Sequence, residues 1–175
     1  MKYKTINNFL ATDFFEKLKD LIMNQDFPWR RRDHMSSDVS DKMYFTYGFY
    51  NNMNSRSEFY EPYIIPILKK LQAEPRLMYK PLAPIEVRAN MIISALFKTA
   101  QWHRDYELSG PQCKTSLLYL NDCDGGTELK INNKAIFIKA EANKILVFDT
   151  DVLHRATTSK KEPIRYVINF NYFAK

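Results

Sequence analysis

The sequence predicts a mainly β protein, a β-sandwich or jelly roll with helices packed outside its sheets. From residue 85 onward, short stretches of strand-forming residues alternate with short polar turns. Helical periodicity prevails before that point, in the first seventy residues. Apolar residues make up 45% and aromatic residues 14% of the 175 residues, which is enough to bury a core. We therefore expect one domain over residues 1–175, with helical and irregular support in 1–84 and a jelly-roll core in 85–175.

Two helices are predicted in the N-terminal part. Asp13 is expected to cap the first helix, and Glu16 three residues later completes a capping box. The apolar stripe of this helix consists of Phe14, Leu18, Leu21 and Ile22. The second helix is indicated by Tyr60, Ile64, Ile67, Leu68 and Leu71. Pro66 lies within the second helix, which implies a kink or a later start.

Seven strands are predicted in the C-terminal part. Their ranges are 85–96, 100–106, 114–121, 127–132, 135–139, 144–149 and 164–173. Asp124-Gly125-Gly126 is a strong turn signal and predicts a hairpin between two of these strands. A further aromatic strand is predicted earlier, over residues 43–50. We interpret it as an edge strand packed on a helix, with the lining of a substrate groove as the alternative.

Charge, cysteine content and hydropathy limit the partners and the compartment. The net charge of +6 permits an acidic partner, including nucleic acid, but is also common among soluble proteins. No apolar stretch is long enough to cross a bilayer and no secretory signal is visible, so we expect a soluble, cytoplasmic protein without membrane contact. Cys113 and Cys123 are expected to be free thiols in a reducing compartment.

A small set of polar side chains can bind a metal. Of the three histidines, His34 is interpreted as structural or solvated. His103 and Asp105 are two residues apart, so in a strand they point to the same face. His154 follows the apolar strand that ends at Phe148, and the end of that strand can bring it alongside the first pair. Two imidazoles and one carboxylate leave the opposite face of a metal open, which is the arrangement of ferrous oxygenases.

Arg165 stands near the start of a strongly alternating strand. One face of that strand is apolar and suits core packing, with Ile164, Tyr166, Ile168, Phe170 and Tyr172. The other face carries Arg165, Val167, Asn169 and Asn171. An arginine that points inward needs a partner, because an unpaired buried charge is very costly. A dicarboxylate ligand would supply one through a bidentate pair of hydrogen bonds.

The order His103-x-Asp105, His154, Arg165 resembles the motif of the 2-oxoglutarate and iron(II)-dependent dioxygenases. The segment Thr115–Asp122, which contains Tyr-Leu-Asn and precedes a Gly-Gly turn, is similar to the prolyl-4-hydroxylase-like branch of that superfamily. The resemblance covers roughly half of the chain. It implies a double-stranded β-helix, which is a jelly-roll, cupin-like fold.

The resemblance also implies roles for individual residues. His103, Asp105 and His154 would be the iron ligands, and with Arg165, which would bind the distal carboxylate of 2-oxoglutarate, they form the catalytic set. Three further residues are expected to assist at the 2-oxoglutarate site, namely Tyr119, Asn169 and Asn90. The family often has a tyrosine in the strand before the His-x-Asp motif, and this chain offers Asn90 there instead.

The implied activity is oxidation of a C–H bond with Fe(II), 2-oxoglutarate and O2, with release of succinate and CO2 and with ascorbate as a reductant. The branch favours a peptidyl residue such as proline as the substrate. The alternatives are nucleic acid, a free small molecule, or a non-catalytic jelly roll that binds a metal and a ligand. Trp29 with Arg30-Arg31-Arg32 is either a solvated loop or a basic stacking surface for nucleic acid.

Overall fold

The computed structural model describes residues 3–32, 44–96, 99–106 and 113–175. The helices are α1 (Thr12–Met23) and α2 (Ile65–Ala73), the latter preceded by a π-helical turn at Tyr60–Ile64. The strands are β1 (Tyr3–Ile6), β2 (Arg30–Arg32), β3 (Tyr44–Asn51), β4 (Asn54–Ser55), β5 (Pro81–Ile93), β6 (Cys113–Tyr119), β7 (Gly126–Ile131), β8 (Lys134–Lys139), β9 (Ile145–Asp149), β10 (His154–Thr157) and β11 (Ile164–Ala174). His34 and Met43 lie outside the described residues.

The strands form two antiparallel sheets. The larger sheet has the order β1-β9-β6-β11-β5-β3-β2, with β4 paired to β3, and the smaller sheet has the order β10-β7-β8. One face of the larger sheet packs on α1 and α2. The other face packs on the smaller sheet. This arrangement confirms the predicted mainly β jelly roll with helices packed outside.

Strand β11 separates the helix side from the inner side of the larger sheet as its alternation predicts. Tyr166, Ile168, Phe170 and Tyr172 belong to the apolar cluster that includes the helices. Val167 belongs to the cluster between the sheets, and Arg165, Asn169 and Asn171 are buried on the same side of the strand. The functional face of the strand therefore follows from the pleat alone.

The N-terminal part differs from its helical prediction in two respects and agrees with it in a third. Strand β1 was not predicted, because its partner is β9, about 140 residues away, and no local pattern records that pairing. The expected capping box at Asp13 is wrong: Ala11 occupies the N-cap of α1 and makes no side-chain capping bond. The later start that Pro66 implies is confirmed, since α2 begins at Ile65 with the proline in its first turn, where no amide donor is required.

Strand β3 is not the edge strand that was expected. It lies between β5 and β2, with Thr46 opposite both Asn90 and Arg30. Its Tyr47 and Phe49 rings are 5.1 Å apart and belong to the cluster that includes the helices. The expected helix contact is therefore present, and the opposite face of the strand is available to line a cavity.

The predicted hairpin at Gly125-Gly126 is also wrong. The preceding strand β6 pairs with β9 and β11, whereas β7 pairs with β8 and β10, so the glycines connect two sheets. A Cβ on Gly126 would lie 2.1 Å from the Ile138 carbonyl oxygen, and one on Gly125 would lie 2.7 Å from the Thr158 carbonyl carbon. Both positions need glycine because neighbouring backbone approaches closely.

An ion pair between the buried Glu74 and the half-exposed Arg76 lies at the end of α2. Arg76 donates from Nε to Oε1 of Glu74 at 2.6 Å and from Nη2 to Oε2 at 3.0 Å. These hydrogen bonds, opposed by burial, lower the pKa of Glu74 from 4.5 to about 2. Among the described helices, none is both long and apolar enough to cross a membrane.

Candidate metal centre

Three side chains meet where the two sheets adjoin. His103, Asp105 and His154 each present a donor atom, and the three donor atoms lie within 4.8 Å of one another. Asp105 Oδ1 is 3.7 Å from His154 Nε2 and 4.0 Å from His103 Nε2. Two donors that each lie about 2.1 Å from one ion are at most about 4.2 Å apart, and both separations fall within this limit. The predicted triad is brought together.

The backbone route to this convergence differs from the predicted one. His103 and His154 form an isolated antiparallel bridge, in which each backbone N–H donates to the other's carbonyl at 3.0 and 2.9 Å. A second bridge joins Thr99 to Thr157, so between the two bridges three residues (100–102) lie opposite two (155–156). This extra residue interrupts the ladder, and the predicted strand over 100–106 is therefore wrong.

Both imidazoles are held so that Nε2 is free to bind a metal. His103 Nδ1 lies 3.0 Å from the Gln101 carbonyl oxygen, and His154 Nδ1 lies 3.0 Å from the Val152 carbonyl oxygen. A carbonyl can only accept, so Nδ1 carries the proton and the lone pair of the neutral ring is on Nε2. Burial lowers the pKa of His154 against the opposing charge of Asp105, which favours the neutral ring.

The Asp105 carboxylate is oriented by a side chain on β11. Asn169 Nδ2 donates to Asp105 Oδ2 at 3.1 Å, which leaves Oδ1 facing the histidines. The carboxylate is buried, and its side chain is only 2% exposed. Burial by itself raises the pKa of Asp105, but His154, Arg88 and the Asn169 hydrogen bond together hold the pKa below its usual value. The ligand oxygen is therefore charged and directed.

Arg165 shares a cavity of about 50 Å³ with the triad. Its residue is 1% exposed, and within the described residues its Nε and Nη1 have no hydrogen-bond partner. Burial lowers its pKa, which reflects the cost of keeping this cation out of water. A donor pair of this kind suits the carboxylate of a bound ligand.

The other two predicted residues lie beside this cavity. Asn90 lines it and accepts a hydrogen bond from Thr46 Oγ1 at 3.3 Å. Tyr119 is fully buried, and its hydroxyl donates to Thr127 Oγ1 at 2.8 Å. Burial raises the pKa of Tyr119 to about 12 although the nearby Arg165 charge opposes the shift. Thr127 itself lines the cavity and was not singled out from the sequence.

Arg88 and Tyr44 also line the cavity without having been predicted. Arg88 Nη2 lies 3.8 Å from Asp105 Oδ1, and its Nη1 donates to Glu86 Oε2 at 2.9 Å. The available signal was the two-residue spacing between Arg88 and Asn90, which places both on the inner face of β5.

The residues present fit one divalent metal and one anionic ligand. Two imidazole nitrogens and one carboxylate oxygen occupy one side of the metal position, as in non-haem ferrous sites. Arg165, whose Nε and Nη1 have no hydrogen-bond partner among the described residues, lines the same cavity and can pair with a carboxylate. The chain thus supplies a metal-binding set and an anion-binding group within reach of one small ligand.

Residues 93–173 match the family model of the 2OG-Fe(II) oxygenase superfamily. No curated protein matches the chain.

Three of the similar solved structures span almost the whole chain. A prolyl hydroxylase from Trichoplax adhaerens, in complex with a peptide fragment of the hypoxia inducible factor oxygen degradation domain, is 19% identical with a TM-score of 0.67, over 98% of this chain and 83% of its own. A prolyl-4-hydroxylase from Pseudomonas putida is 11% identical with a TM-score of 0.64, over 98% and 92%. The alpha ketoglutarate dependent carbocyclase of nogalamycin biosynthesis is 12% identical with a TM-score of 0.64, over 98% and 79%. At these identities the likenesses establish the fold.

Proposed function

Because its residues 93–173 match the family model of the 2OG-Fe(II) oxygenase superfamily, we propose that this protein is a 2-oxoglutarate- and Fe(II)-dependent dioxygenase that hydroxylates a C–H bond of a peptidyl residue such as proline. One observation carries the proposal. Arg165 lines the same cavity as the two imidazoles and the carboxylate. Its guanidinium is buried, and two of its nitrogens have no hydrogen-bond partner among the described residues. A keto acid that binds a metal through one end and an arginine through the other satisfies both sets of groups.

The residues of the site have separate roles in binding the metal and the co-substrate. The Nε2 atoms of His103 and His154 and Oδ1 of Asp105 would hold the iron, and Asn169 keeps Oδ1 of the carboxylate facing the histidines. Arg165 pairs with the distal carboxylate of 2-oxoglutarate. When bound, iron with 2-oxoglutarate and O2 supplies the oxidant for a C–H bond and releases succinate and CO2.

The cavity also limits the access of water to the reacting groups. Ile92, Leu117 and Val167 line it with apolar side chains and are themselves buried. Tyr119 and Asn90 would assist at the 2-oxoglutarate site, because Tyr119 lies beside Arg165 and Asn90 lines the cavity. An apolar lining that excludes water strengthens the pairing of Arg165 with a carboxylate and prevents side reactions of the oxidant.

The peptide substrate is the finer part of the proposal. It is supported by two similar solved structures that are prolyl hydroxylases, one of them bound to a peptide. The carbocyclase of nogalamycin biosynthesis has a similar fold, so a free small molecule is the alternative.

Calorimetric titration of 2-oxoglutarate into protein loaded with Mn(II) tests the site without requiring the substrate. Wild type should bind, and Arg165→Met should bind about 100-fold more weakly or not at all, because the charged bidentate partner is lost. Lys134→Gln, a change of an exposed charge on β8, should bind as wild type does. Wild-type protein that binds metal but not 2-oxoglutarate, or binding that ignores Arg165, would contradict the assignment and favour a non-catalytic jelly roll.

A further inference from the structure

A second, larger cavity opens beside the metal centre. Its volume is about 660 Å³, and it is formed by β2, β3, the segment after β4 and the middle of β5. Among the described residues, no side chain of the smaller sheet lines it. We call it the arginine groove, because its described lining contains Arg30, Arg32, Arg56 and Arg88 against one carboxylate, Glu86.

Three of the four guanidinium groups are not neutralised by any carboxylate of the described residues. Arg30 and Arg32 are exposed and lie two residues apart on β2, so they share one face of the strand. Within the described residues, neither they nor the exposed Arg56 has a carboxylate partner. Glu86 is engaged elsewhere, since it accepts from Arg88 at 2.9 Å and from the Tyr106 hydroxyl at 3.3 Å. The groove therefore carries an excess of positive charge.

The arginine groove adjoins the metal centre. Tyr44 and Arg88 line both the groove and the small cavity that contains the triad. Arg88 Nη2 is 3.8 Å from the metal-facing oxygen of Asp105, so one guanidinium borders both spaces. A ligand that lies along the groove can thus extend one group to the reacting site.

Two of the tyrosine rings that line the groove, Tyr47 and Tyr50, pack on other aromatic rings and are not free to stack on nucleic-acid bases. The Tyr47 ring packs at 4.7 Å on Phe27, and its hydroxyl donates to Ser57 at 2.8 Å. The Tyr50 ring is stacked at 5.1 Å on Tyr60.

Trp29, which with the arginine run was the basis for the nucleic-acid alternative, also packs inward. Its ring is 4.9 Å from Phe27 and 5.9 Å from Tyr166. Binding of a single strand relies on free aromatic faces as much as on charge, whereas carboxylates need only the guanidinium groups. The cations therefore favour an acidic polypeptide.

We propose that the arginine groove binds an acidic segment of a protein substrate, with carboxylates paired to Arg30, Arg32 and Arg56, and so presents a neighbouring residue to the metal centre. The inference rests on the proposed oxygenase function and specifies its substrate class. Gly48 marks the floor of the groove: it lies opposite Arg88, and a Cβ at this position meets no atom within 4 Å. A side chain at Gly48 would therefore begin in open space, because its Cβ displaces no protein atom, and a large one would extend into the groove.

Fluorescence anisotropy with a labelled peptide tests the inference. The probe is a short peptide with a central proline flanked by Asp and Glu, titrated with Mn(II)-loaded protein in the presence of 2-oxoglutarate. The comparison ligands are the same peptide with Asn and Gln in place of the acids, and a single-stranded oligonucleotide of equal charge. Arg30→Gln/Arg32→Gln removes charge, and Gly48→Phe fills the groove with charge unchanged. The charge-matched control is Lys134→Gln/Lys139→Gln, on exposed positions of β8 in the other sheet.

Wild type and the β8 control should bind the acidic peptide at least tenfold more tightly than the neutral one, with an affinity that falls as salt rises. The double arginine variant and Gly48→Phe should each weaken this binding at least tenfold, while circular dichroism shows that they remain folded. Equal affinity for both peptides, or binding that neither groove variant changes, overturns the inference. Tighter binding of the oligonucleotide that depends on the same residues replaces it with a nucleic-acid substrate. A wild-type protein that fails to bind 2-oxoglutarate in a parallel titration instead refutes the proposed function.

Discussion

Replacing Arg165 by methionine should make the protein more stable and unable to use its co-substrate. Arg165 is 1% exposed, and two of its guanidinium nitrogens have no partner within the described residues. Its desolvation is therefore not offset by an ion pair in the absence of 2-oxoglutarate. Methionine keeps most of the side-chain volume and removes the buried charge.

The expected size of the effect follows from measured replacements of buried charges. Apolar groups of similar volume in such positions raise the free energy of unfolding by about 1–4 kcal/mol, and we expect a value near the lower end because a cavity of about 50 Å³ already adjoins Arg165. In 2-oxoglutarate at about one hundred times the wild-type dissociation constant, wild type should gain about 2.7 kcal/mol, and Arg165→Met should gain about 0.4 kcal/mol or less. The ligand should thus stabilise wild type much more than the variant.

Urea unfolding of Mn(II)-loaded protein, with and without 2-oxoglutarate, measures both effects. The matched control is Arg155→Met, since Arg155 has a partner: its Nε lies 2.5 Å from Glu128 Oε2, and its guanidinium lies 4.4 Å from the Trp102 ring centre. This control should lose stability or stay unchanged, and it should respond to 2-oxoglutarate as wild type does. If Arg165→Met without ligand is less stable than wild type by more than about 1 kcal/mol, the argument that Arg165 is an unpaired, ligand-seeking charge is refuted.

Three further changes test other parts of the structure. Asn169→Ala should weaken Mn(II) binding about 10- to 100-fold in a calorimetric titration, because the hydrogen bond that orients Asp105 is lost, and an unchanged affinity would contradict that role. Gly126→Ala should lower the free energy of unfolding in urea by about 2 kcal/mol or more, whereas Gly48→Ala should change it by less than about 0.5 kcal/mol. The reason is that a Cβ at Gly126 meets backbone atoms and a Cβ at Gly48 does not. Equal effects would contradict the close approach of backbone at Gly126. The pKa of Glu74 is lowered from 4.5 to about 2, so its carboxylate stabilises the fold fully above pH 4.5 and loses this contribution as the pH falls toward 2. Glu74→Gln should therefore flatten the decline of the free energy of unfolding between pH 5 and 2. An unaltered decline would exclude Glu74 as its source.

The parts of the fold that follow local periodicity were predictable. The alternation in β11 identified its inner face, and that face includes the buried Arg165 and Asn169. Pro66 correctly indicated the start of a helix, because the constraint of proline is local. By contrast, β1 depends on a strand far along the chain, and the pairing of residues 99–106 depends on an extra residue between two bridges.

The sequence predicted which residues form the candidate site better than it predicted the contacts between them. Spacing and the family resemblance selected the triad and Arg165, which the structure brings to one cavity. The partner of Asn169 was not predictable, because strand alternation gives the face of a side chain and not the distance to Asp105 across the fold. The access of Arg88 to both cavities was missed for the same reason, since it depends on how β5 is placed between β3 and β11.

The most direct test of the proposed activity is the conversion of 2-oxoglutarate to succinate with Fe(II), ascorbate and O2. Turnover without the true substrate is expected to be slow but measurable, so the assay does not depend on identifying the substrate. Wild type should produce succinate only when iron is present, and His103→Ala and Arg165→Ala should each abolish the product. Succinate formation that persists in both variants, or metal-loaded wild type that neither binds 2-oxoglutarate nor converts it, would contradict the oxygenase assignment.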